Sequence, residues 1–105
     1  RGLGDVYKRQ IQDINRGMID EEVSIEGVVS DVKSSASKSS YFLTVNDGTD
    51  QMSLIIFESQ LAQLEDNGID IESYKGKKVN VVGTVTQYNS QLELILSSGD
   101  DIKMV

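Results

Sequence analysis

Residues 79–88 read VNVVGTVTQY, and residues 23–32 read VSIEGVVSDV. Aligned without gaps, Val23, Ile25, Gly27 and Val29 fall on Val79, Val81, Gly83 and Val85. Each stretch alternates apolar and polar side chains, the period-two pattern of a strand with one buried face. Each is interrupted by a glycine at the same place. Glycine inside a strand weakens it, so its presence marks a bulge or a sharp bend. Two long strands that bend at glycine are what a small closed barrel needs at its corners.

Between these two stretches the sequence predicts a hairpin. Residues 41–46 (YFLTVN) are aromatic and β-branched, Asp47-Gly48 is a turn pair, and residues 52–57 (MSLIIF) form the return strand. Period two places Leu43, Val45, Met52, Leu54 and Ile56 inward, with Tyr41 on their side. The opposite face carries Phe42 and Thr44 on one strand, with Ser53, Ile55 and Phe57 on the other; for Phe57, which ends the strand, packing on the following helix is the alternative. That mixed face suits a partly exposed binding surface. Residues 58–66 (ESQLAQLED) space Leu61 and Leu64 as on a helix, and Asn67-Gly68 stops it. Asp70 is placed to cap a second short turn through Tyr74. Residues 91–96 (QLELIL) form a last strand with Leu92, Leu94 and Leu96 inward, joined to the fourth strand by a short loop after Tyr88. Residues 11–19 are expected to cover the barrel bottom, and residues 102–105 to close or leave the barrel. The order is strand, strand, strand, helix, strand, strand. That is the all-β, five-stranded Greek-key barrel called the OB-fold, with a short helix between strands 3 and 4.

Composition narrows the chemistry. The chain has 105 residues, no Cys and no His. Disulfides, thiolate metal sites and Cys nucleophiles are therefore excluded, and the commonest general base and zinc ligand are missing. The acidic pairs Glu21-Glu22, Glu65-Asp66 and Asp100-Asp101 diverge from one another on any regular element and read as solvated surface. Asp47 reads as a turn residue that accepts backbone hydrogen bonds. No phosphate loop is present. The expectation is a chain with no active site, no metal and no cofactor. The net charge of −7 argues against non-specific duplex DNA binding, which needs a basic surface. No apolar run is long enough to span a membrane.

Residues 1–10 (RGLGDVYKRQ) hold three of the ten bases and one of the seventeen acids, so they stand apart from an acidic remainder. They resemble adaptor-derived sequence. They are expected to be a non-native or disordered leader, with the barrel occupying residues 11–105.

The hairpin segment F-x-x-V-x-D-G-T, carried by Phe42, Val45, Asp47, Gly48 and Thr49, resembles OB-fold nucleic-acid-binding modules of the tRNA-anticodon and helicase type. So does K-x-V-x-V-x-G-x-V, carried by Lys77, Val79, Val81, Gly83 and Val85. The resemblance implies a non-catalytic module that binds single-stranded DNA or RNA within a larger nuclease, helicase or replication protein. In such modules the strand crosses the second and third strands between two flanking loops. Carried over by position, Phe42 matches the aromatic that meets a base. Ser53 stands where relatives often have a base-reading Gln, and the shorter side chain puts sequence reading in doubt. Tyr88 is a second platform. Lys33 and Lys38 bracket the polar loop KSSASK and are placed to meet phosphate. The cluster Lys75, Lys77 and Lys78 lies at the other end of the barrel. The expected site is thus Lys33, Lys38, Phe42, Thr44, Ser53, Ile55 and Tyr88. The alternative reading is an OB-fold that binds a protein partner or packs on an adjacent domain without nucleic acid, and the acidic balance favours it.

Overall fold

The computed structural model describes residues 8–37 and 39–105. Six strands and one α-helix follow in the order β1 (Glu22–Ser34), β2 (Tyr41–Asn46), β3 (Gln51–Ile56), α1 (Glu58–Asp66), β4 (Lys78–Tyr88), β5 (Gln91–Leu96) and β6 (Ile102–Met104). The first five strands close on themselves: β1 pairs β2, β2 pairs β3, β3 pairs β5, β5 pairs β4, and β4 pairs β1. All of these are antiparallel except β3 with β5. β6 adds a sixth strand to the first part of β4, through Val79 to Met104 and Val81 to Ile102. The result is the OB-fold barrel, with the helix where the sequence order places it.

The alternation of β1 and β4 fills the interior. Val23, Ile25 and Val29 from β1 and Val79, Val81 and Val85 from β4 are all buried, together with Leu43, Val45, Leu54, Ile56, Leu94 and Leu96. Tyr41 is half-buried and packs on this core. Leu61 and Leu64 of α1 join it from one end, with Ile71 and Tyr74 from the following 3-10 turn. Asp70 caps that turn by accepting a hydrogen bond from the Glu72 N–H at 3.1 Å. Short 3-10 turns at Ile11–Asp13 and Arg16–Met18 lie along residues 11–19, with Ile11 and Ile14 buried in the core.

The two glycines work differently from a bulge. Gly27 pairs with Val79 in unbroken register, and Gly83 pairs with Val23 likewise. The bulge in β1 lies farther on, between Val29 and Asp31. At Gly27 and Gly83 the backbone of a third strand comes too close for any side chain. A Cβ on Gly27 would lie 2.6 Å from the Asn46 carbonyl oxygen, and one on Gly83 would lie 2.8 Å from that of Ile95. Both positions are changeover points. β1 leaves β4 for β2 at Val28, which is paired with both Lys78 and Asn46. β4 passes from β6, its partner at Val79–Val81, to β5, its partner from Gly83 onward.

The β2–β3 turn is tied to the preceding chain by one carboxylate. Asp47 accepts hydrogen bonds from the Ile11 N–H at 2.8 Å, the Thr49 N–H at 2.9 Å, the Thr49 hydroxyl at 2.6 Å and the Asp50 N–H at 3.2 Å. Partial burial acts to raise its pKa, but these donors outweigh it and hold the group at about 2. Of residues 1–10, Lys8 bridges Ser24 and the Arg9 N–H donates to the Ser24 carbonyl at 2.7 Å.

Gly27→Ala and Gly83→Ala should each cost about 1–3 kcal/mol in urea unfolding, because the atoms they meet are backbone and cannot swing aside. Gly→Ala substitutions of neutral or stabilising effect would contradict the close approach. For Asp47, the depressed pKa makes its contribution complete above the ordinary carboxylate range and loses it as pH falls toward about 2. Asp47→Ala should therefore cost about 1–2 kcal/mol near neutral pH, after allowing for solvent screening. That gap to the unsubstituted chain should shrink on acidification. A gap independent of pH would contradict this role.

Candidate nucleic-acid interface

The closed register brings one outward face of β1, β2, β3, β5 and β4 into two continuous cross-strand rows. The first runs Lys33, Phe42, Ile55, Ile95, Thr84, each directly opposite the next. The second runs Asp31, Thr44, Ser53, Glu93, Thr86. Of the residues expected from sequence, Lys33, Phe42, Thr44, Ser53 and Ile55 are thus gathered on one wall. Tyr88 sits beyond it, at the end of β4, where Asn89 and Ser90 turn with φ of 51° and 67° into β5. Lys38 lies outside the described residues.

Parity decides which aromatic is available. Leu43 and Val45 are buried, so their neighbour Phe42 faces out and is 38% exposed. Tyr88 is 65% exposed. Ile55, by contrast, is only 8% exposed although it stands on the outer face. It lies between Phe42 and Ile95 in the row, and bulky neighbours in a sheet cover one another. Ile55 therefore packs beside Phe42 more than it offers surface of its own. Thr44 and Ser53 are half-buried and opposite each other.

The wall's electrostatics are nearly balanced. The Lys33 ammonium stands 3.6 Å from the carboxylate of Asp31, two residues back on the same face, and the bulge before Asp31 turns that face outward. Both groups are well exposed, so the pair is loose and solvent-screened. Glu93 stands between Ser53 and Thr86 in the second row, and burial pushes its carboxyl up from the ordinary value. A groove of about 380 Å³ runs over this end of the wall, lined by Ile14, Thr44, Ser53, Gln91 and Glu93 among others. Glu93 and Ile95 were missed in the sequence reading. Their signal was present: if Leu92, Leu94 and Leu96 face in, the residues between them face out.

The second basic cluster is elsewhere. Lys78 pairs with Glu26 at 3.2 Å, and Lys8 pairs with the same carboxylate at 2.6 Å. These two lysines hold the Glu26 pKa below its ordinary value, Lys8 more than Lys78. They border a groove of about 830 Å³ at the middle of β1 and the β2–β3 turn, away from the Phe42 wall. Among the described residues no group of acidic side chains converges as a metal site would require. Among the described residues no helix is long and apolar enough to cross a membrane.

Solved structures of known proteins share this architecture. The Stn1–Ten1 complex of S. pombe matches with a TM-score of 0.64 at 19% identity, over 80% of this chain and 57% of that one. The asparaginyl-tRNA synthetase of Entamoeba histolytica matches with a TM-score of 0.73 at 15% identity, over 96% of this chain and 23% of that one. OBody AM1L10, solved bound to hen egg-white lysozyme, matches with a TM-score of 0.69 at 16% identity, over 92% and 91%. The chain thus spans just over half of the first of these and under a quarter of the second. At such identities the likeness is one of fold. No curated protein matches in sequence. A family model described as an OB-fold nucleic acid binding domain does match, over residues 4–98. With nearly the whole barrel inside that match, the chain belongs to the family of OB-fold nucleic acid binding domains.

Proposed function

We propose that this domain binds single-stranded DNA or RNA across β2, β3 and β5, as a non-catalytic module of a larger nuclease, helicase or replication protein. The observation that carries the reading is Phe42. It is a large aromatic held outward by strand parity and open at 38%, and it stands between Lys33 and Ile55 in the outer row, near the β1–β2 loop. A base stacked on such a ring contributes about 1–3 kcal/mol, and any base will do because each has a π-face. Thr44 and Ser53 beside it carry hydroxyls that can donate to or accept from a base edge. Lys33, at the β1 end of the row, and Lys38, in the loop beyond it, are the phosphate contacts of this reading. Tyr88 serves as a platform at the far end. Asp31 and Glu93 repel phosphate, so the bases face the wall and the backbone stays outside it.

The acidic balance supports a second reading, a protein partner on the same wall or elsewhere on the barrel. The OBody match is an OB-fold solved with a protein bound, so the fold accommodates that role.

Fluorescence anisotropy with labelled oligo-dT and oligo-U separates the two. The proposal expects binding at low salt that weakens as salt rises, and a loss of about 1–3 kcal/mol in Phe42→Ala with the fold intact by circular dichroism. Absence of binding at roughly tens of micromolar protein in low salt favours the protein-binding reading. Glu93 supplies a separate check. Its carboxyl is raised, so lowering the pH from neutral neutralises it earlier than an ordinary carboxylate. Affinity should rise on mild acidification. Glu93→Gln should bind about two- to threefold more tightly at neutral pH and lose that pH response. Weaker binding in Glu93→Gln would show that the carboxylate contacts the ligand instead of repelling it.

A further inference from the structure

We infer that Phe57 is a second base-stacking platform, which extends the wall by one nucleotide toward the loop between β1 and β2. The inference rests on the reading of Phe42 as the first platform. β3 ends at Ile56, but Phe57 keeps an extended backbone, with φ −82° and ψ 171°, as the residue preceding α1. The strand's alternation therefore continues one step past its last ladder pair. Ile56 is fully buried and paired with Tyr41, so Phe57 falls on the outward side with Ile55.

Phe42 is directly opposite Ile55, which makes Phe57 its diagonal neighbour across the two strands. Diagonal neighbours stand about 7–8 Å apart, within reach of adjacent bases on one extended strand. Phe57 is 43% exposed, slightly more than Phe42 at 38%. Exposure of two phenylalanines side by side is costly to a folded chain, and among the described residues these are the only two Phe present.

The capping role does not explain the ring at this position. A residue before a helix is ordinarily Ser, Thr, Asp or Asn, whose oxygen accepts from the first turn. Phe57 makes no such bond, and the cap is closed from the other side, by the Gln60 side-chain oxygen accepting from the Phe57 N–H at 3.0 Å. A capping residue has been forgone where an exposed aromatic stands.

The test uses anisotropy with oligo-dT and oligo-U of roughly four and roughly ten nucleotides. Phe57→Leu keeps an apolar side chain ahead of α1, and Phe57→Trp enlarges the π-face. Phe57→Leu should weaken binding by about five- to a hundredfold at both lengths, because even the shorter oligonucleotide spans two adjacent platforms. Phe57→Trp should bind the longer one at least as tightly as the unsubstituted chain. Thermal unfolding of both variants should match it closely. If Phe42→Ala loses binding while Phe57→Leu binds normally at both lengths, the second platform is refuted and the first stands. Weakening in Phe57→Leu accompanied by equal weakening in Phe57→Trp and lowered unfolding temperatures would mean a structural effect and would likewise refute it. Normal binding in Phe42→Ala, or no binding by the unsubstituted chain, would overturn the underlying reading and this inference with it.

Discussion

The barrel depends on two places where three backbones meet. At Gly27 the carbonyl of Asn46, and at Gly83 the carbonyl of Ile95, occupy the space any Cβ would need. These contacts let one strand serve two neighbours in turn, and that handover is what curls a flat ladder into a closed ring. The outer wall is a consequence. Only because β3 pairs β5 and β5 pairs β4 do side chains distant in sequence, such as Lys33 and Thr84, fall into one row. The aromatic surface is set by the same closure, since inward Leu43 and Val45 turn Phe42 outward.

Much of this was legible in the sequence because period two is a local pattern. The alternation in β1, β2, β4 and β5, the Asp47-Gly48 turn, the leucine spacing of α1 and the outward face of Phe42 all follow from neighbours within a few residues. What escaped depends on distant partners. Gly27 and Gly83 were recognisable as anomalies, yet their cause lies in carbonyls of other strands, and the bulge itself falls near Ser30, where no glycine marks it. β6 is three residues long, and its existence rests on pairing with Val79–Val81. Ile55 reads as exposed from parity alone, whereas Phe42 and Ile95 on either side cover it. Asp31 and Lys33 share a face by period two, but it takes the bulge after buried Val29 to turn that face outward.

The wall reconciles an acidic chain with a nucleic-acid family by separating two jobs. Affinity for single strands comes partly from phosphate neutralisation and partly from stacking. In the proposed reading stacking falls to Phe42, with Ile55 directly opposite it on the next strand. Neutralisation is poorly served, with Lys33 beside Asp31 and Glu93 on the same wall. On that reading the domain would bind modestly alone and gain from a neighbour that fixes the same strand, since tethered sites act at high effective concentration.

The most direct measurement is a titration of the isotopically labelled domain with a single-stranded oligonucleotide, followed by amide and methyl chemical shifts. The account predicts changes centred on Phe42, Thr44, Ser53, Ile55, Ile95 and Thr84, with α1 and β6 quiet. Changes centred on Lys8, Lys78 and the groove beside Glu26, with the Phe42 wall unmoved, would contradict it.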